Sequence, residues 1–148
     1  MEKTEKYDAL KLENQLCFPL YACARKVTNL YAPYFKPYGI TYTQYIVLMV
    51  LWEHDGISVG ELGEKLYLDT GTLTPLLKRM ADEGLLLRTR SKADERIVTL
   101  TLTQKGHDLR ECLKDIPQKI GSCVKLEHSE AQTLYQLLYK VMDNIHPD

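Results

Sequence analysis

The cysteine Cys17 is the residue whose type and surroundings point most directly to chemistry. It lies in the stretch LENQLCFPLYACARKV, one residue before an aromatic side chain and two before Pro19. The other thiols are Cys23, Cys112 and Cys123. A zinc site needs closely spaced ligand pairs, but no two cysteines form a C-x-x-C motif and the histidines do not cluster with them. We therefore expect no metal and no cofactor, which leaves a core residue, half of a disulfide or a reactive thiol.

A reactive Cys17 would have to be ionised, because the thiolate is the nucleophile. Prolines are favoured in the first turn of a helix, so Pro19 predicts a helix beginning close to Cys17, where unpaired N–H groups and the helix dipole favour an anion. The same cysteine also lies on an apolar stripe, and burial is the commonest fate of a free cysteine. The residues alone therefore favour the core interpretation, and Cys23 is likewise interpreted as a packing residue.

The elements that would position this thiol begin with an amphipathic helix. Apolar side chains at 17, 20, 24, 27 and 31 predict a helix within residues 8–35. Its predicted terminators are Pro33, Pro37 and Gly39. Three further helices are predicted to start at capping boxes, in which a hydroxyl residue is answered by Gln or Glu three positions later. The boxes are Thr41 with Gln44, Ser58 with Glu61, and Ser129 with Gln132.

After the second capping box comes one more helix, and the spacing of apolar residues then changes from a helical to a strand-like pattern. TGTLTPLLKRMADEG predicts a helix ended by Gly84, which either starts near Thr72 or begins with an irregular turn, because Pro75 removes a hydrogen bond. LLLRTR and RIVTLTLT alternate as strands do, and the polar SKADE between them predicts a β-hairpin with a charged tip. Thr103 is predicted to cap a further helix that Pro117 interrupts.

The order of these elements is typical of a winged helix-turn-helix. We predict a mainly α fold with a small β-hairpin wing, flanked by N- and C-terminal dimerisation helices. Residues 1–148 form one domain, with the DNA-binding core at 41–103 and the dimerisation helices at 8–38 and 104–148. The apolar runs are far shorter than the ~20 residues a membrane helix needs, and no signal peptide is evident, so we expect a cytoplasmic protein without a membrane partner.

Positive charge is concentrated where this fold would meet DNA. The chain has 19 Lys plus Arg against 20 Asp plus Glu, yet residues 70–92 carry five basic and two acidic side chains, a net charge of +3. This is the footprint that phosphate binding requires. The predicted DNA-binding residues are Thr70, Thr72, Thr74, Lys78, Arg79, Arg88, Arg90, Lys92 and Arg96. Asp94 is predicted to shape the wing turn. Arg96 could reach a minor groove, pair locally with Asp94 or Glu95, or do both.

Four segments carry a family resemblance over roughly residues 10–120. DTGTLTPLLKRM and ADERIVTLTLTQKG resemble the DNA-binding core of the MarR family. LENQLCFPLYA and YGITYTQYIVLMVLWE are similar, more narrowly, to its organic-hydroperoxide-sensing branch, the OhrR regulators. MgrA and SarZ share this layout. The resemblance implies a homodimeric repressor, not an enzyme, that binds a pseudo-palindromic operator on double-stranded DNA.

The resemblance also implies roles for individual residues. Cys17 would be the sensor that organic hydroperoxides oxidise, Tyr31 and Tyr42 of the partner subunit would hydrogen-bond it, and Tyr21 would line the same region. In two-cysteine members a resolving cysteine follows, here Cys123 with Cys112 as its rival, whereas one-cysteine members form a mixed disulfide with a small thiol. The chain departs from the family in Pro19, where an ordinary apolar residue is usual, and in its extra cysteines. Two alternatives are a repressor released by a small aromatic ligand and a global virulence or stress regulator of the same fold.

Overall fold

The N-terminal region is a series of short helices. The structure, a computed structural model, describes residues 6–145. Single 3-10 turns at Asp8–Leu10 and Leu12–Asn14 lead into α1 (Cys17–Asn29), which is followed by α2 (Ala32–Phe35) and a 3-10 turn at Lys36–Tyr38. The predicted helix is therefore wrong for residues 8–16, because the backbone is extended at Lys11 and Gln15. Gly39, in the left-handed region at φ +64°, ends the series as predicted.

Three helices follow, α3 (Tyr42–Glu53), α4 (Val59–Leu66) and α5 (Thr70–Asp82), and the last two form the helix-turn-helix pair. Both predicted capping boxes are present at the starts of α3 and α4. The Thr41 hydroxyl accepts from the Gln44 N–H at 3.3 Å, and the Ser58 hydroxyl accepts from the Glu61 N–H at 3.2 Å. These caps satisfy N–H groups that have no partner inside the helix.

The turn between α4 and α5 depends on a glycine. The Leu68 N–H donates to the Gly63 carbonyl at 3.0 Å. A Cβ on Gly63 would lie 2.6 Å from the Leu68 carbonyl oxygen, so a larger residue would force the turn apart. Tyr67 takes the left-handed conformation at φ +56° that reverses the chain after α4. The close approach of the two helices therefore requires Gly63.

The wing is part of a three-stranded antiparallel sheet. Its strands are β1 (Ile57–Ser58), β2 (Leu86–Arg90) and β3 (Val98–Leu102), in the order β1-β3-β2. The sequence predicted the hairpin of β2 and β3 but not β1, because a two-residue strand has no detectable alternation. Leu86, Leu100 and Leu102 turn inward to a core that α3, α4 and α5 complete. The fully buried members of that core from the helices are Val47, Leu48, Leu51, Leu62, Leu73, Leu77 and Met80.

The C-terminal helices are α6 (Gln104–Leu113), α7 (Ile116–Val124) and α8 (His128–Asn144). Thr103 caps α6 as predicted, and the helix is interrupted between Leu113 and Ile116, just before Pro117. The predicted Ser129–Gln132 box is wrong: α8 begins one residue before Ser129, and Glu130 accepts from the Glu127 N–H at 2.9 Å instead. The chain divides into two compact units, one up to Ile116 and one from Pro117 onward, and a single domain stays a prediction.

Candidate functional site

The polar face of α5 is the first part of the site. Leu73, Leu77 and Met80 are fully buried. The exposed face carries Thr70, Thr72, Lys78 and Arg79, while Thr74 is half-buried and donates its hydroxyl to the Thr70 carbonyl at 2.8 Å. This helix therefore has one face committed to the core and one face of hydroxyl and cationic groups open to a partner.

The start of α5 is set by Asp69, which sequence reasoning missed. Its carboxylate accepts from the Thr72 N–H at 2.7 Å, and this hydrogen bond lowers the pKa of Asp69. An aspartate three residues before a threonine N–H is a recognisable cap signal. The helix begins at Thr70 and continues through Pro75, so neither alternative, a start near Thr72 or an irregular first turn, is correct. Pro75 removes one hydrogen bond without breaking the helix.

The wing tip carries a highly exposed cation. The Arg96 side chain is 94% exposed, and its Nε lies 3.8 Å from Asp94 Oδ1. The same oxygen accepts from the Arg96 backbone N–H at 3.0 Å. The role of Asp94 in shaping the turn stays a prediction. Arg90 donates to the Glu95 carbonyl at 3.3 Å, which ties β2 to the turn, and Lys92 is exposed beside it.

Arg88 differs from the other basic residues of the wing. It pairs with Leu100 in the sheet register and alternates with Leu86, so its side chain leaves the strand on the face that carries the core. The residue is half-buried, and its Nε is buried without a hydrogen-bond partner among residues 6–145. Only the end of this guanidinium could reach a partner, and a DNA contact for Arg88 stays a prediction.

Cys17 is the first residue of α1, as Pro19 predicted. The thiol is exposed in the single chain, at the end of the helix where the first-turn N–H groups have no partner inside the helix. Cys23 is also exposed, so the expectation that it packs inside this chain is wrong. The reason is that α1 has no buried residue at all: Leu20 and Ala24 of its apolar stripe are exposed, and Val27 is half-buried.

The predicted sensor tyrosines lie in one aromatic cluster. The rings of Tyr31 and Tyr42 are 5.0 Å apart between centroids, and Phe35 and Tyr45 pack against Tyr31 at 5.4 and 5.7 Å. Burial, with a smaller effect of Tyr42, raises the pKa of Tyr31, so its hydroxyl keeps its proton at neutral pH. Tyr31 therefore offers a neutral hydrogen-bond donor rather than a base.

The other predicted site residues lie outside this cluster. Tyr21 is on α1, exposed, with the Arg25 guanidinium 5.6 Å from its ring centroid. Cys123 is exposed on α7. Cys112 is exposed on α6 beside Tyr38, and the charge of its thiolate is the main reason that the pKa of Tyr38 is raised. Within residues 6–145 no three His, Cys, Asp or Glu side chains are grouped as a metal site would need, and no helix is long and apolar enough to span a membrane.

Comparison with known proteins assigns the family. A sequence profile described as transcriptional regulator SarA/Rot matches residues 29–113, from the end of α1 to the end of α6. The chain belongs to this family of transcriptional regulators. It is 47% identical over 141 residues to the organic hydroperoxide resistance transcriptional regulator of Bacillus subtilis, which covers 95% of this chain and 96% of the relative.

Other members of the family extend the likeness. The chain is 40% identical over 136 residues to the HTH-type transcriptional regulator MgrA of Staphylococcus aureus, covering 91% and 92% of the two chains. Reduced AbfR of Staphylococcus epidermidis bound to DNA superposes with a TM-score of 0.77 at 34% identity, over 95% of this chain and 97% of that one. Disulfide-formed AbfR gives 0.64 at 34% identity, over 95% and 98%. The predicted winged-helix class and the predicted resemblance are confirmed.

Proposed function

We propose that this family member is a homodimeric repressor that leaves its operator when organic hydroperoxides oxidise Cys17. The observation that carries the proposal is the position of this thiol, exposed at the first residue of α1. The chain is nearly half identical, over almost its whole length, to a regulator named for organic hydroperoxide resistance. A fold that exposes a thiol at a helix start and a cationic helix face in one chain can connect an oxidant to DNA binding.

The DNA surface consists of α5 and the wing. In a winged helix the second helix of the pair enters the major groove, and the polar face of α5 supplies hydroxyl and cationic groups for base edges and phosphates. Arg96 at the wing tip suits an adjacent minor groove. AbfR, a structural relative, was solved bound to DNA. The proposed contacts are Thr70, Thr72, Thr74, Lys78, Arg79, Arg88, Arg90, Lys92 and Arg96.

The dimer is inferred from apolar side chains that the single chain leaves open. Neither α1 nor α8 has a buried residue. Leu16 and Phe18 near the start of α1 are exposed, as are Tyr135 and Leu137 on α8. Exposed apolar surface of this extent marks an interaction site. A second copy would cover it with two-fold symmetry, and two recognition helices would then read half-sites about one helical turn apart.

The chemistry at Cys17 is a transfer of oxygen from the peroxide. The thiolate attacks one peroxide oxygen, the S–O bond forms, the O–O bond breaks, and the alkoxide takes a proton to leave as an alcohol. The first-turn N–H groups of α1 stabilise the anionic sulfur, and the partner subunit's Tyr31 and Tyr42 would add two neutral donors. The sulfenic acid is no longer an anion, so it suits that donor set less well.

The resolving thiol is proposed to be Cys123 of the partner subunit. Its sulfur attacks the sulfenic sulfur, the disulfide forms, and the oxygen leaves as water. Cys123 is exposed on α7, whereas the rival Cys112 lies close enough to Tyr38 to raise the pKa of that tyrosine. The relative AbfR was solved in a disulfide form, which supports the two-cysteine route.

The sensor role is tested with cumene hydroperoxide and a fluorescent duplex selected from a random pool by the reduced protein. Wild type and Cys23→Ser, which lacks an exposed thiol on the same helix, should both release the duplex. Cys17→Ser should stay bound. Release from Cys17→Ser at the same peroxide concentration would refute the sensor role. Release by a small aromatic ligand, with Cys17 unmodified by mass spectrometry, would support a ligand-controlled repressor instead.

The resolving step is tested by non-reducing electrophoresis of the oxidised protein. Wild type and Cys112→Ser should form a covalent dimer, and Cys123→Ser should not. A covalent dimer that survives Cys123→Ser and disappears in Cys112→Ser would reverse the assignment.

A further inference from the structure

Gln44 makes hydrogen bonds at both ends of its amide. It is the one polar side chain buried among residues 6–145, at 1% exposure. Its Oε1 accepts from the Thr41 N–H at 2.9 Å, and its Nε2 donates to Glu83 Oε2 at 2.8 Å. Leaving either end of a buried amide without a partner costs free energy, so the Gln44 side chain is held in place by both hydrogen bonds at once. Gln44 therefore caps α3 and at the same time joins it to a residue 39 positions away.

Glu83 lies at the C-terminal end of α5, where a helix dipole disfavours a carboxylate. Contacts from three elements hold it there. Besides the Gln44 bond, its Oε1 accepts from Arg79 Nε at 2.9 Å, and its backbone carbonyl accepts from Lys105 Nζ of α6 at 2.8 Å. The carboxylate thus connects the first turn of α3 to the end of the recognition helix and to one of its proposed DNA contacts.

Capping alone does not account for this arrangement. The matching residue of the other confirmed box, Glu61, also closes its cap, accepting from the Ser58 N–H at 2.7 Å. Glu61 is exposed, however, while Gln44 is buried. The burial of Gln44 and its bond to Glu83 are therefore additions to the cap.

We propose that Gln44 and Glu83 are positioning residues that transmit a displacement of Tyr42 to the recognition helix. The inference rests on the proposed function, in which Tyr42 responds to the state of Cys17. Tyr42 is the first residue of α3, two positions before Gln44, so a shift of this turn moves the Gln44 amide. Because leaving the buried Gln44 amide without its charged acceptor would be costly, Glu83 follows the amide and the end of α5 moves with it.

A double-mutant cycle on DNA affinity tests the link without an oxidant. The dissociation constant of the selected duplex is measured at fixed salt for wild type, Tyr42→Ala, Glu83→Ala and the double variant. We expect Tyr42→Ala to change the constant by about tenfold in the wild-type background and by less than about threefold beside Glu83→Ala. Glu83→Gln keeps an acceptor for Gln44 and should restore the coupling with Tyr42. A residue that only stabilises the fold would not be expected to restore it.

The controls separate the link from general damage. Glu61→Ala removes a cap of the same kind on α4 and should leave the effect of Tyr42→Ala unchanged. If Glu83→Ala does not fold, Gln44→Met breaks the same hydrogen bond from its other end. If Tyr42→Ala does not fold, Tyr42→Leu replaces it. Folding of each variant is checked by circular dichroism.

Two results would overturn the inference. One is an equal effect of Tyr42→Ala with and without Glu83, and the other is no effect of Tyr42→Ala in the wild-type background. If hydroperoxide fails to release the wild type, the redox proposal fails, but the cycle still decides the link because it uses reduced protein throughout.

Discussion

Replacing Gly63 by alanine should set two effects against each other: the higher helix propensity of alanine and the steric overlap of its Cβ with the turn. An alanine in a helix is more favourable than a glycine by about 0.5–1 kcal/mol, because glycine loses more conformational freedom on folding. At Gly63 the new Cβ would lie 2.6 Å from the Leu68 carbonyl oxygen and 3.4 Å from Leu73 Cδ1. Backbone cannot move aside as a flexible side chain can, and overpacking of this kind costs about 1–3 kcal/mol. We therefore expect Gly63→Ala to be destabilised by up to about 2 kcal/mol.

Gly60 in the same helix is the matched control. The nearest atom to its added Cβ is Ser58 Oγ at 3.8 Å, an ordinary van der Waals separation. Gly60→Ala should therefore gain up to about 0.5–1 kcal/mol. Both variants are unfolded in urea at one fixed protein concentration, since dimerisation would make stability depend on concentration. The turn that Gly63 permits also sets the angle between α4 and α5, so Gly63→Ala should lose DNA affinity as well.

The reasoning fails if Gly63→Ala is as stable as Gly60→Ala. That result would mean that the turn at Leu68 relaxes without cost, and that the close approach of the helices is not what requires glycine. A destabilised Gly63→Ala with unchanged DNA affinity would refute only the second step, the dependence of the α5 orientation on this turn.

Three further perturbations have definite expected outcomes. Trp52→Phe keeps an aromatic ring but removes the indole N–H that donates to the Gly106 carbonyl at 2.9 Å, which should cost about 0.5–1.5 kcal/mol in urea unfolding. The Thr72 N–H that Asp69 caps lowers the pKa of Asp69 from 3.8 in the folded protein. The carboxylate therefore stabilises the fold above pH 3.8, and this stabilisation is lost as pH falls through the lowered pKa of the folded state. Asp69→Asn should remove this pH dependence of unfolding. Lys78→Ala and Arg96→Ala should weaken DNA binding and reduce its salt slope by about one for each phosphate that the variant no longer neutralises.

Each of these outcomes can be contradicted by a single measurement. A Trp52→Phe protein as stable as wild type would mean that the Gly106 carbonyl finds another donor. Equal acid sensitivity of wild type and Asp69→Asn would mean that the cap charge does not contribute. An unchanged affinity and salt slope in both Lys78→Ala and Arg96→Ala would argue against docking through α5 and the wing.

The sequence correctly predicted those helix starts that depend on a hydrogen bond between neighbouring residues. Thr41, Ser58 and Thr103 cap their helices as expected, because each bond joins a side chain to an N–H three residues away. The same rule failed at Ser129, where the chain enters α8 after Lys125 in the left-handed region and the helix has already begun. An acidic pair with the same spacing, Glu127 with Glu130, closes the cap instead.

The sequence was less informative wherever burial decided the result. The apolar stripe favours a core role for Cys17, and Cys23 is interpreted as a packing residue, but the single chain leaves both exposed. Periodicity shows that a helix has an apolar face and does not show what covers it. For α1 we propose that the cover is a second copy, which no pattern within one chain can display. Arg88 is the reverse case, since its charge suggested an open surface and its strand register partly buries it.

Patterns along the chain were enough to predict the winged-helix class, the cationic segment around α5, and the thiol at the start of α1. These features follow from periods, caps and charges within a few residues, and short-range geometry depends directly on the order of side chains. The pairings of Gln44 with Glu83, Trp52 with Gly106, and β1 with β3 became visible only in the folded chain. Those contacts bridge 39 residues or more, and which distant groups meet depends on how the whole core packs rather than on any local pattern.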